Sequence, residues 1–236
     1  MMTSEAHISK QFDAELDQAR SMALSMGGLA ERQVVYAIEA LRRGDMALTT
    51  RVIQVEVEVN ALERTVDELC TSVIARRQPN AGDLRLVMAL FKLTTDIERI
   101  GDEAKKIALC AHEVPALGRV PLPRMNEIAV MADLVTGMLR DTLDAFARMD
   151  VENASSIAMR DREVDRHFQA ILRELLTYMI EDPRTISSCI DVLFVAKALE
   201  RIGDHAKNIT EYIVYLIKGK DVRHLTPERF DEVVAS

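Results

Sequence analysis

Along residues 9–43 apolar side chains return every three or four positions (Phe12, Leu16, Ala19, Ala23, Met26, Ala30, Val34, Ala37, Ile38, Leu41), which predicts one long amphipathic helix. Gly44-Asp45 closes it and supplies the N-cap of the next. A second helix is expected over 46–77 on a stripe of Val55, Val59, Leu62, Val66, Leu69 and Val73, with Gln78-Pro79-Asn80 as the turn. A third is expected over 81–113. The next ten residues, Val114-Pro115-Ala116-Leu117-Gly118-Arg119-Val120-Pro121-Leu122-Pro123, hold three prolines and a glycine, which no helix interior tolerates. The helical pattern then restarts over 124–148, 150–181 and 183–218, with Asp182-Pro183 as N-cap and first-turn proline and Gly219 as the stop. Thr226-Pro227-Glu228 caps a short last helix reaching Val234.

Helices joined by such short turns must lie antiparallel to bury their stripes. The fold class expected is therefore all-α: two tandem, pseudo-symmetric three-helix bundles made of six long antiparallel helices. The first bundle spans 9–113, a linker 114–123, the second bundle 124–218 and a C-terminal tail 219–236. The symmetry is legible directly. Glu98-Arg99-Ile100-Gly101-Asp102-Glu103-Ala104-Lys105-Lys106-Ile107 returns 102 residues later as Glu200-Arg201-Ile202-Gly203-Asp204-His205-Ala206-Lys207-Asn208-Ile209, an internal duplication.

Composition supports helices over sheets: aromatics are 4%, Trp is absent and glycines number 9 in 236 residues. The formal net charge of −8 supplies no basic excess for a nucleic-acid backbone and suits metal cations better. Cys70, Cys110 and Cys189 form no CxxC pair and read as small buried hydrophobes of a reducing compartment. Neither a signal-peptide core nor a membrane-spanning run is found, so a cytoplasmic location is expected.

Within the repeat, Ile97 at the centre of the buried face places Leu90, Ile100, Gly101 and Ala104 beside it and Glu98 and Asp102 on the flank, one turn apart. Two acids at that spacing repel each other unless something offsets them. Roughly six such pairs are expected by chance in a chain with this acid content, so one pair says little. Here the pair recurs as Glu200 and Asp204, and the preceding helix of the second half carries Asp161 and Asp165 beside its own stripe. Four carboxylates from two antiparallel helices point to a cation site. In the first half the matching positions are Glu56 and Asn60, where one carboxylate has become an amide; Glu63 offers a substitute, and without it weaker binding is expected.

All-oxygen ligands favour divalent or trivalent hard cations, Mn, Fe or Mg before Zn or Ca. None of His7, His112, His167, His205 and His224 carries the Glu-x-x-His pairing of a di-iron oxidase. Gly101 and Gly203 have two compatible readings, close helix approach that gathers the acids and plain tight packing. His205 reads as a surface residue or a ligand and Arg99 and Glu103 as an outer-face ion pair, while Lys105 and Lys207, near the acid row, are within reach of the same cluster but are read first as solvated lysines. No nucleotide-binding loop or nucleophile elbow is found, and no enzymatic activity is expected.

The doubled motif, with Arg77-Gln78-Pro79 and Asp83-Leu84-Arg85, resembles the PhoU family of phosphate-transport regulatory proteins over about residues 12–219. That resemblance implies a cytoplasmic homodimer of two three-helix bundles that binds metal through Glu/Asp-x-x-x-Asp motifs, here Glu98 with Asp102, Asp161 with Asp165 and Glu200 with Asp204. It further implies negative regulation of phosphate uptake and of the phosphate-starvation response, by contact with the ATP-binding subunit of the phosphate transporter and a membrane histidine kinase. Contact with nucleic acid is not implied, and the membrane is reached only through partners. The alternatives are a metal-dependent phosphate-ester hydrolase, which needs an open coordination position and a general base, and a metal-free helical scaffold.

Overall fold

A computed structural model describes residues 3–111 and 125–235. Among them lie seven α-helices: α1 (Thr3–Arg43), α2 (Met46–Arg77), α3 (Ala81–Cys110), α4 (Met125–Arg148), α5 (Ala154–Glu181), α6 (Ile186–Lys218) and α7 (Pro227–Ala235). No strand occurs among the described residues. The expected linker, 114–123, and the expected end of the third helix lie outside them.

The stops and starts follow local chemistry. Asp45 accepts from the Ala47 and Leu48 amides at 2.8 and 3.3 Å and so caps α2. Asn80 does the same for α3 through Gly82 and Asp83. Gly44 and Gly219 adopt the left-handed conformation, at φ 64° and 68°, that ends a helix without steric cost. Two boundaries differ from the sequence-based expectation. Asp150 turns its carboxylate onto the Glu152 amide instead of capping a helix, and α5 starts only at Ala154. Asp182-Pro183 opens a 3-10 turn, Pro183–Thr185, before α6 begins at Ile186.

α1, α2 and α3 pack on one another, as do α4, α5 and α6. Arg77 of α2 pairs with Glu15 of α1, and the Thr49 hydroxyl donates to the Ala108 carbonyl of α3, which fixes the antiparallel order. The two halves also meet. α3 lies along α6, α1 lies along α4, and the buried apolar side chains of both halves form one continuous cluster. α7 folds back onto α5 and α6 through buried Phe230, so the expected tail carries a packed helix. No helix among the described residues is long and apolar enough to cross a membrane.

Candidate functional site

In the second half, α5 buries Ala154, Ile157, Asp161, Val164, Ile171 and Leu175. One member of that apolar seam is an acid, and Asp161 is 2% exposed. Asp165, one turn on, is exposed, while Glu200 and Asp204 of α6 are half-buried. These four groups feel one another. Burial first, and then the charges of Glu200, Asp161 and Asp165, push the Asp204 carboxyl up from 3.8 to about 6. Burial, Asp161 and Glu200 likewise raise Asp165. The partial answer to this repulsion is Lys207, whose Nζ donates to Asp161 Oδ2 at 2.8 Å, and Lys197, which lies 2.7 Å from Glu200 Oε1.

In the first half the seam of α2 is centred one residue away from the expected stripe. Val52, Val59, Val66 and Val73 recur every seven residues, and Glu56 and Cys70 are buried between them. This is the spacing that keeps a residue against the same neighbouring helices, so Glu56 sits within the seam and not on its flank. Gln33 of α1, fully buried, donates from Nε2 to Glu56 Oε2 at 2.7 Å and lies 3.2 Å from the Gly101 carbonyl. Lys105 Nζ stands 3.5 Å from the other Glu56 oxygen. Burial raises the Glu56 carboxyl, with Gln33 and Lys105 acting against it and Asp102 acting with it. Glu98 is raised by burial, Asp102 and Glu56, and Glu63 by burial and then Glu98, which places Glu63 in the same cluster. Of the two readings of the repeat lysines, the structure takes the one in which they reach the acid cluster: Lys105 pairs with Glu56 and Lys207 with Asp161.

The two motif glycines serve different ends. A Cβ on Gly101 would stand 2.9 Å from Gln33 Oε1 and 3.4 Å from Glu56 Oε2, so this glycine admits the buried amide that grips Glu56. A Cβ on Gly203 would meet Val164, Val135 and Met138 at 3.5–3.9 Å, ordinary contact distances. Met138 thus fills in the second half the place that Gln33 takes in the first.

Among the described residues, no three His, Cys, Asp or Glu side chains are grouped closely enough to hold a metal ion as they stand. The chemistry of the donors nonetheless suits a hard cation: they are all oxygen, mutually repelling and partly desolvated. In the first half the buried oxygens Asn60 Oδ1 and Gln33 Oε1 have no hydrogen-bond partner, which leaves two neutral ligands available there.

The seam between α3 and α6 holds the polar residues that sequence reasoning misplaced or missed. His205 is 6% exposed, not a surface residue, and its Nδ1 lies 2.7 Å from Oδ1 of Asp96, itself 3% exposed. Glu103 is buried and pairs with Lys106 at 2.9 Å and with Arg201 of α6 at 3.2 Å. Arg99 lies nearer Asp96, at 3.9 Å, so the expected Arg99–Glu103 pair does not form. One signal was present: Asp96 stands seven residues before Glu103, and Glu103 and His205 occupy the same step of the repeat. For Gln33 the signal was a polar residue at core spacing from Ala30 and Ala37.

Paired helical bundles, each with an acid seam on one helix facing an acid row on the repeated motif helix, define a class of duplicated helical proteins. The PhoU domain model matches the chain twice, over residues 23–111 and 128–213, and the chain belongs to that family. A Pseudomonas putida relative, called a phosphate-specific transport system accessory protein PhoU homolog, is 48% identical over 94% of this chain and 87% of its own length. The crystal structure of PhoU from Pseudomonas aeruginosa superposes with a TM-score of 0.84 at 45% identity, covering 89% of this chain and all (100%) of that one. A phosphate transport system regulatory protein PhoU from Streptococcus pneumoniae superposes with a TM-score of 0.78 at 27% identity, covering 89% and 99%.

Proposed function

We propose that this chain is a non-enzymatic, cytoplasmic regulator accessory to phosphate transport, acting as a homodimer that restrains phosphate uptake and phosphate-starvation signalling. The proposed partners are the ATP-binding subunit of the phosphate transporter and a phosphate-sensing histidine kinase. What supports this is family membership carried by both halves of the chain, with relatives named for the phosphate-specific transport system. The proposed units are the bundles 9–113 and 124–218.

Within that role the acid rows are proposed as cation sites. Asp161, Asp165, Glu200 and Asp204 would hold a metal in the second half, and Glu56, Asn60, Glu98 and Asp102 would do so more weakly in the first. A bound Mn, Fe or Mg ion would supply charge neutralisation between helices that otherwise repel. The supporting observation is the gathering of these acids on facing helices, where burial first and then the charges of Glu200, Asp161 and Asp165 raise the Asp204 carboxyl to about 6.

Two experiments test the reading. Expressed in a bacterium lacking its PhoU protein, the chain is expected to restore phosphate-replete repression of uptake; unrestrained uptake despite soluble, folded protein would contradict the regulatory role. Elemental mass spectrometry of protein purified without added metal or chelator is expected to find stoichiometric metal that is lost in the folded Asp165→Asn/Asp204→Asn variant. Equal metal in both would remove the acid rows as ligands.

A further inference from the structure

Lys105 and Lys207 are equivalent residues of the repeat, and the acids they contact, Glu56 and Asp161, are equivalent residues of the facing helices. Lys105 Nζ lies 3.5 Å from Glu56, and Lys207 Nζ lies 2.8 Å from Asp161. Each half thus sets its own ammonium on the buried carboxylate of its seam. In the second half a cavity adjoins this lysine. Lys207 also lines a cavity of about 120 Å³ beneath α7, whose other walls include Ser155, Arg162, Glu211, Phe230 and Asp231. Glu211 is one turn beyond Lys207 on the same helix face. It makes no ion pair with another described residue; burial raises its carboxyl, and the charge of Lys207, ahead of those of His224 and Arg223, pulls it back.

We propose that Lys207 is a tethered counter-cation, displaced from Asp161 by a bound metal ion into the cavity under α7, where Glu211 and Asp231 receive it. The inference rests on the reading of the acid rows as cation sites. A metal ion and an ammonium at contact distance from the same carboxylate oxygen repel each other strongly at the low effective dielectric of a half-buried site, so one leaves. The four-carbon stem of lysine allows the swing without backbone movement. Because Asp231 belongs to α7, occupation of the acid row is transmitted to the C-terminal helix by one side chain.

The test is made on the full chain, wild-type and Lys207→Gln, with MnCl₂ as the probe. Calorimetric titration is expected to show Mn²⁺ binding roughly tenfold more tightly to Lys207→Gln, the direction set by removing a competing charge a few Å away. Hydrogen exchange is expected to show residues 227–235 gaining protection with Mn²⁺ in the wild type and not in the variant. Asp231→Asn, on an exposed face and so safe for folding, should keep the wild-type affinity but blunt the response of α7. Equal affinities in wild type and Lys207→Gln, or an α7 response that survives both substitutions, overturns the exchange while leaving the cation sites standing. Absence of Mn²⁺, Mg²⁺ and Fe²⁺ binding by the wild type removes the sites themselves, and the exchange with them.

Discussion

The imidazole Nδ1 of His205 and the carboxylate Oδ1 of Asp96 lie 2.7 Å apart, deep in the seam where α6 of the second half runs along α3 of the first. Their separation in sequence is 109 residues, so this contact is one of the bonds that makes two repeats a single body. Both side chains are buried, and besides His205 the Asp96 carboxylate meets the Tyr212 hydroxyl and, at 3.9 Å, the Arg99 guanidinium.

Removing one member should therefore cost more than the bond itself is worth. Asp96→Ala is expected to lower unfolding stability by about 2–3 kcal/mol, because it strands a buried imidazole. Asp96→Ala/His205→Leu should regain part of that loss, since the stranded imidazole is gone while the Tyr212 hydroxyl loses its Asp96 partner equally in both variants. Urea unfolding midpoints at constant slope would measure both; a double variant less stable than the single one contradicts the argument.

The carboxyl of Asp204 sets a pH dependence. The folded chain holds this proton to about pH 6, whereas the unfolded chain releases it near 3.8, so ionisation favours the unfolded state. The contribution is absent below about pH 4, grows as a destabilisation from pH 4 to 6, and persists above. Asp204→Asn is expected to stabilise chelator-treated protein at pH 7 by about 1–2 kcal/mol after allowance for solvent screening, and to flatten the profile between pH 4 and 6. Thermal unfolding across that range in the presence of EDTA decides it.

The glycines should respond in opposite directions. Gly203→Ala adds a methyl group at ordinary contact distances and removes the entropic cost of a mid-helix glycine, so a gain of about 0.5–1 kcal/mol is expected. Gly101→Ala drives a Cβ to 2.9 Å from the fully buried Gln33 amide, and a loss of about 1–2 kcal/mol is expected. Equal effects in calorimetric melting would mean that Gln33 yields freely.

The two cation sites should rank unequally. Glu56 is already held by Gln33 and Lys105, and its neighbour Asn60 carries no charge. Asp165→Asn is accordingly expected to weaken Mn²⁺ binding in the second half more than any single substitution at Glu56 weakens it in the first. Titration of the variants separates the two, and equal losses would sink the ranking.

What the sequence determined by itself is whatever depends on residues close along the chain. Helix lengths follow from apolar spacing, and Asp45, Asn80, Gly44 and Gly219 mark ends because a cap satisfies amides two or three residues away. The duplication and the acid rows at Glu98, Asp102, Glu200 and Asp204 are likewise visible in the linear order, since one turn of helix is a fixed offset. The local rule failed where neighbouring helices chose the face: α2 turned to seat Val52, Val59, Val66 and Val73, and carried Glu56 into the seam. Only the tertiary structure brought Gln33 to Gly101, Lys207 to Asp161, Arg201 to Glu103 and His205 to Asp96. Those pairings are 46 to 109 residues apart, and helical periodicity records which face a residue occupies but not which helix will lie against it.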